Sequence, residues 1–243
     1  MKISISSSKI LLIFSFIISI LILNYYLNKY DKIVTDENGR KYHQMIKYDA
    51  LRYISHGAEI KDDLDNGINF FKTGREHFTK YLPPRITALI FYVFNIDLYE
   101  DDEKKKITTG VYKPYIFIQC IFYYLSLLFF LFSTKNVLNP KYLFFLLLFL
   151  ALEPNILQYH GTFWSETYFF AFQIIIIGLI INDKKNIFTY FLIGFFVGML
   201  SLQKQYAIFF AFPIIVYFYC FNKKSFFSNI SVLLIGFFLT QCF

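Results

Sequence analysis

Apolar runs long enough to fill a bilayer recur along this chain, separated by short clusters of charge. A hydrocarbon core about 30 Å thick needs roughly 20 mostly apolar residues in a helix rising about 1.5 Å per residue. The first such run covers residues 10–28, after Lys2 and Lys9, and closes on the interfacial residues Asn24, Tyr25 and Tyr26. No small-residue cleavage site of the A-x-A kind follows it, so the pattern predicts an uncleaved anchor rather than a signal peptide. Further runs lie at 114–133, 142–159, 164–181, 187–202, 206–221 and 226–243. The expectation is an all-α polytopic membrane protein of about seven transmembrane helices, one membrane domain over residues 1–243. Residues 29–113 form its large first external loop, with interfacial helices inside it. The last run reaches Phe243 without a flanking charge, which reads as an incomplete copy of a longer protein. No internal repeat is visible, an argument against transporter folds built from duplicated halves.

Lysine placement orients the spans. With the N-terminus in the cytoplasm, the even connections hold Lys135 and Lys141, then Lys184 and Lys185, then Lys223 and Lys224. The short odd connections hold Glu153, Glu166 and the single Lys204. This is a positive-inside distribution, and it places 29–113, the 153–166 loop and the 203–205 turn outside.

Composition agrees with a bilayer protein, at 56% hydrophobic and 17% charged residues. The net charge of +7 would suggest nucleic acid in a soluble domain, but here the lysines sit between apolar spans and act as topology signals. The aromatic excess, 33 Phe and 20 Tyr, accompanies abundant Ile, Lys and Asn and fits an A+T-rich genome better than a stacking surface. Cys120, Cys220 and Cys242 fall inside apolar segments with no CxxC spacing, as packing residues do.

Candidate chemistry concentrates in the first loop, which carries Asp49, Arg52, Tyr53, His56, Glu59, the run Asp62, Asp63 and Asp65, then Arg75, Glu76, His77 and the pair Pro83-Pro84. Ile86 to Ile96 is too short to span and is expected at the interface or slightly re-entrant. A calcium loop begun at Asp62 fails, because Leu64 stands at its third position and Thr73 at its twelfth. Asp63-Leu64-Asp65 is a D-x-D, which holds a divalent cation in some sugar transferases, but a solvated acidic turn is the plainer account. No cofactor is expected, and the four histidines have no metal-ligand spacing. Glu153 reads as a solvated loop residue, whereas Glu166 enters the following span directly and is a binding candidate. Lys204, alone on the lysine-poor side, either snorkels to headgroups or holds a lipid-linked phosphate.

Taken in order, these features resemble the GT-C superfamily of membrane glycosyltransferases, most closely the branch of protein O-mannosyltransferases and lipid A aminoarabinose transferases. The motifs are Asp49-Ala50-Leu51-Arg52-Tyr53 followed by Gly57-Ala58, then Tyr81-Leu82-Pro83-Pro84-Arg85, then Glu166, Lys204 and Pro213. The resemblance runs over nearly the whole chain. It departs at Arg85, where an apolar residue is usual, in lacking an arginine before the second span, and in lacking the later spans and C-terminal domain.

The resemblance implies an enzyme that transfers a hexose or pentose from a polyprenyl-phosphate donor to a lipid, glycan or protein acceptor on the external face of a bacterial inner membrane. Asp49 would be the general base. Tyr53, Arg75, Arg85, Glu166 and Lys204 would bind substrate, and nucleic acid is no partner. The alternatives are a non-catalytic or truncated membrane protein, and a transporter or flippase component for lipid-linked glycans. Nearly uncharged span interiors argue against the transporter.

Overall fold

Between Ile10 and Ile22 every exposed position of the first helix is apolar, while Ser8, Ser15 and Ser19 on the same helix are buried. That is the reverse of a helix facing water. The computed structural model describes residues 4–30, 32–35, 41–43, 49–70, 82–97, 113–160, 165–182, 185–221 and 225–241. Among them the chain is helical apart from one short hairpin, and two helices, α1 (Ile5–Tyr30) and α4 (Lys113–Thr134), are long and apolar enough to cross a membrane. α4 repeats the inversion: Ile121, Leu125, Phe129 and Phe132 face outward, and Gln119, Ser126 and Thr134 are buried.

Two compact units are present. The first holds residues 1–14, 122–152 and 168–243. In it α5 (Pro140–Leu152) stops short of the apolar run that continues to 159. Pro154 lacks an amide hydrogen and restricts the residue before it, so the helix breaks at Glu153. The last carbonyls of α5 are met by phenols of α4: Tyr123 donates to Leu150 at 2.8 Å and Tyr124 to Ala151 at 3.0 Å. α7 (Glu166–Ile181) contributes its residues from Tyr168 onward.

α8 (Ile187–Gln203) opens on a capping box in which Asn186 Oδ1 accepts from the Thr189 amide at 2.9 Å and Thr189 Oγ1 accepts from the Asn186 amide. A 3-10 turn (Gln205–Phe210) leads into α9 (Ala211–Phe221), and α10 (Phe226–Gln241) follows. α8 and α10 run parallel and very close. Gly194 lies against the Leu233 carbonyl, Gly198 against Thr240, and Gly236 against the Phe191 carbonyl. No β-carbon fits at these positions, which is how small residues bring apolar helices together.

The second unit holds residues 15–121 and 153–167. Two three-residue strands, β1 (Ile33–Thr35) and β2 (Lys41–His43), pair antiparallel with Val34 opposite Tyr42. This hairpin adds a strand element to the all-helical expectation. Its signal is only the short β-branched run Ile33-Val34-Thr35. α2 (Asp49–Asp65) and α3 (Leu82–Val93) form a packed pair, and α6 (Pro154–His160) is tied to α4 by the Gln119 amide donating to the Tyr159 carbonyl at 3.4 Å.

Candidate functional site

α2 takes shape because Ala50, Ile54, Gly57, Ile60 and Lys61 recur at helical spacing and are all buried. Asp49 is its first residue, a place where the helix dipole favours a carboxylate. The Asp49 side chain lies outside the described residues. Tyr53 follows one turn later, half-buried, and His56 a turn after that, its Nδ1 3.1 Å from the Glu59 carboxylate. By helical spacing Asp49, Tyr53 and His56 occupy one stripe along the edge of the buried face.

α3 begins where the prolines demand it, since Pro83 and Pro84 sit in a first turn whose amides need no intrahelical acceptor. Gly57 of α2 meets this turn directly. A β-carbon there would collide with the Thr87 side chain and stand 3.3 Å from the Pro84 carbonyl oxygen. Thr87 is fixed in turn, its hydroxyl donating to the Pro83 carbonyl at 2.9 Å. The Gly57 and Pro-Pro motifs, separated in sequence, are thus in contact.

Arg85 is buried at 6% exposure. One terminal nitrogen donates to the Phe70 carbonyl at 2.7 Å, and the guanidinium lies over the Phe70 ring at 5.1 Å. Among the described residues its Nε has no hydrogen-bond partner and no carboxylate pairs with it. Burial lowers its pKa, but an arginine remains charged at neutral pH. A buried cation without a counter-charge is costly, so an anion reaching it would be stabilised.

The acidic run at the end of α2 is partly accounted for. Lys61, buried, holds Asp65 at 2.6 Å and Asp97 at 3.0 Å, locking the end of α2 to the segment after α3. Burial pulls the Lys61 pKa down most strongly, yet hydrogen bonds to both carboxylates and their charges together raise it above the ordinary value. Asp65 therefore has a structural partner in Lys61. Among the described residues no three His, Cys, Asp or Glu side chains gather as a metal site.

Glu153 caps α6. One carboxylate oxygen accepts from the Ile156 amide at 2.8 Å and the other from Asn155 Nδ2 at 2.7 Å. Glu166 opens α7, half-buried, again where the dipole favours an acid. Lys204 belongs to the other unit. It is half-buried and extended, with φ −146° and ψ 120°, its amide donating to the Leu200 carbonyl as α8 ends. Arg75 lies outside the described residues. Lys61 and its link to Asp97 were not foreseen: the Lys61–Asp65 spacing of four was visible in the sequence, the bond across 36 residues was not.

Comparison of the chain with protein-family models, with curated proteins and with solved structures finds no match in any of the three.

Proposed function

We propose that this chain is a polytopic membrane protein of about seven spans that transfers a sugar from a polyprenyl-phosphate donor on the outer face of a bacterial inner membrane. The observation that carries the reading is the α2–α3 junction: the helix opened by Asp49 is packed through Gly57 on the helix opened by Pro83-Pro84. Two loop motifs that resemble those of GT-C enzymes are therefore one structural piece. The membrane part is supported by the outward apolar and inward polar faces of α1 and α4.

In the proposed reaction the Asp49 carboxylate takes the proton of an acceptor hydroxyl or amine. The freed electron pair forms the bond to the anomeric carbon, and the bond from that carbon to the donor phosphate oxygen breaks with inversion. The departing phosphate keeps that electron pair, and Arg85, Arg75 and Lys204 are the cations assigned to its charge. Tyr53 and Glu166 are assigned to substrate hydroxyls. Arg85 supports an anionic ligand on its own evidence, being a buried cation without a described carboxylate. Mass-spectrometric comparison of lipid-linked sugars and surface glycans with and without the gene tests the reading. Accumulation of a polyprenyl-phosphate sugar with loss of one glycan modification supports it, and identical profiles overturn it.

A further inference from the structure

Charge is divided unevenly between the two compact units. Of the chain's 17 acidic residues, only Asp183 falls in the unit made of residues 1–14, 122–152 and 168–243, where Lys184 and Lys185 follow it directly. The other lysines of that unit therefore find almost no counter-charge within it. Two of them meet at one place. The Lys9 ammonium, near the start of α1, lies 5.1 Å from the centre of the Phe132 ring, and the Lys135 ammonium, just past the end of α4, lies 5.4 Å from the same centre. The two cations are thus no farther apart than those distances added together. Phe132 and Lys9 are exposed and Lys135 is half-buried, so the cluster opens on the surface. Among the described residues neither lysine is in an ion pair.

We propose that Lys9 and Lys135 hold the phosphate of one anionic phospholipid, whose acyl chains lie along the apolar faces of α1 and α4. Electrostatics asks for an anion here. The electron-rich ring draws each ammonium to it and so keeps two like charges close together, and a phosphate accepting a hydrogen bond from each offsets their repulsion. The surroundings choose a lipid over a soluble anion. Beyond Lys9 the exposed positions of α1 are Ile10, Ile13 and Phe14, and before Phe132 those of α4 are Leu125 and Phe129. A ligand seated on the lysines thus has ionic partners at one end and an extended apolar surface beside it, which suits a charged headgroup with its chains. A soluble polyanion matches the charge and leaves the apolar stripe uncovered. The inference rests on the membrane part of the proposed function, and on the proposed orientation the lipid belongs to the cytoplasmic leaflet.

The test titrates the full chain, purified in maltoside detergent, with phosphatidylglycerol or phosphatidylcholine and reads bound lipid by native mass spectrometry. Wild type should retain phosphatidylglycerol over phosphatidylcholine by roughly tenfold, and Lys9→Gln combined with Lys135→Gln should lose most of that preference. Lys223→Gln combined with Lys224→Gln removes the same charge from a different connection and should leave the preference intact. Lys9→Arg combined with Lys135→Arg keeps both charges and must keep the preference, which holds the proposal open to refutation even where the glutamine pair folds poorly. No preference in wild type overturns the proposal, and so does a preference unchanged without the two lysines. An equal loss in both glutamine pairs overturns it too, since net charge alone then explains the binding. Displacement of the lipid by inorganic phosphate has the same force, because the site then takes a soluble anion. Alkaline carbonate extraction of membranes separates this proposal from the reading beneath it. A chain released by carbonate ends the membrane reading together with the site, and a chain that resists it without preferring phosphatidylglycerol loses the site alone.

Discussion

Gly57 lies so close to Thr87 that no side chain fits between α2 and α3 at that point. Gly57→Val should therefore force the helices apart, destabilising the pair by roughly 1–3 kcal/mol, the usual scale of overpacking. Thermal unfolding and limited proteolysis of the loop in detergent read the loss. Thr87→Ser relieves only part of it, because the Thr87 β-carbon stands 2.7 Å from the added atom and remains.

Lys61 makes the same pair sensitive to alkali. Its folded-state pKa is raised, so its contribution is fully present below the unfolded value of about 10.4 and is lost as pH rises through the higher folded one. Asp65 and Asp97 are substantially exposed, and solvent screening holds the contribution to about 1 kcal/mol. Protease protection of residues 49–97 should fall above that pH in the wild type, and the alkaline step should be missing in Lys61→Met. A step unchanged in the variant would assign it to another group.

The helices were legible because charge-free runs leave few alternatives: the run at 187–202 becomes α8, Ile187–Gln203, and that at 114–133 becomes α4, Lys113–Thr134. What escaped depends on contacts distant in sequence. Gly57 and Thr87 are each ordinary where they stand, and only the folded pair shows that one requires the other to be close. Nothing local marks Lys61 for its bond to Asp97 or Arg85 as buried. The capping of α6 by Glu153 depends on a helix start that the apolar run to 159 hides.

Lys9 and Lys135 approach the same Phe132 ring, at 5.1 Å and 5.4 Å, so the start of α1 and the end of α4 lie at one level. On the proposed orientation that level is the cytoplasmic one. Reporters fused after residues 138, 184 and 223 should read cytoplasm, and those after 70, 105 and 160 outside. A cytoplasmic signal at residue 70 would remove the loop from the outer face and the lipid-linked donor with it.

Lys204 ends α8 in an extended conformation on the side where lysine is scarce. If it holds the donor phosphate, Lys204→Ala weakens donor use and Lys204→Arg partly preserves it, since charge survives while geometry changes. Donor titration at matched expression separates this from a snorkelling anchor, for which both variants behave as wild type.

The proposed general base, Asp49, admits the sharpest test. It opens α2, and Asp49→Asn keeps the side chain's size nearly unchanged while removing the basic oxygen. The fold should survive, because an amide serves at a helix start almost as well as a carboxylate. Transfer should fall by roughly 10²-fold or more, the scale of general acid–base catalysis, with donor affinity little altered. The rival D-x-D reading puts the damage at Asp63→Asn and makes transfer depend on added divalent metal. Asp65 discriminates less well, since losing its bond to Lys61 disturbs the loop in either case. Purified variants assayed with and without chelator separate the two readings. Wild-type turnover in Asp49→Asn would end the assignment of Asp49 as base, whatever becomes of the spans around it.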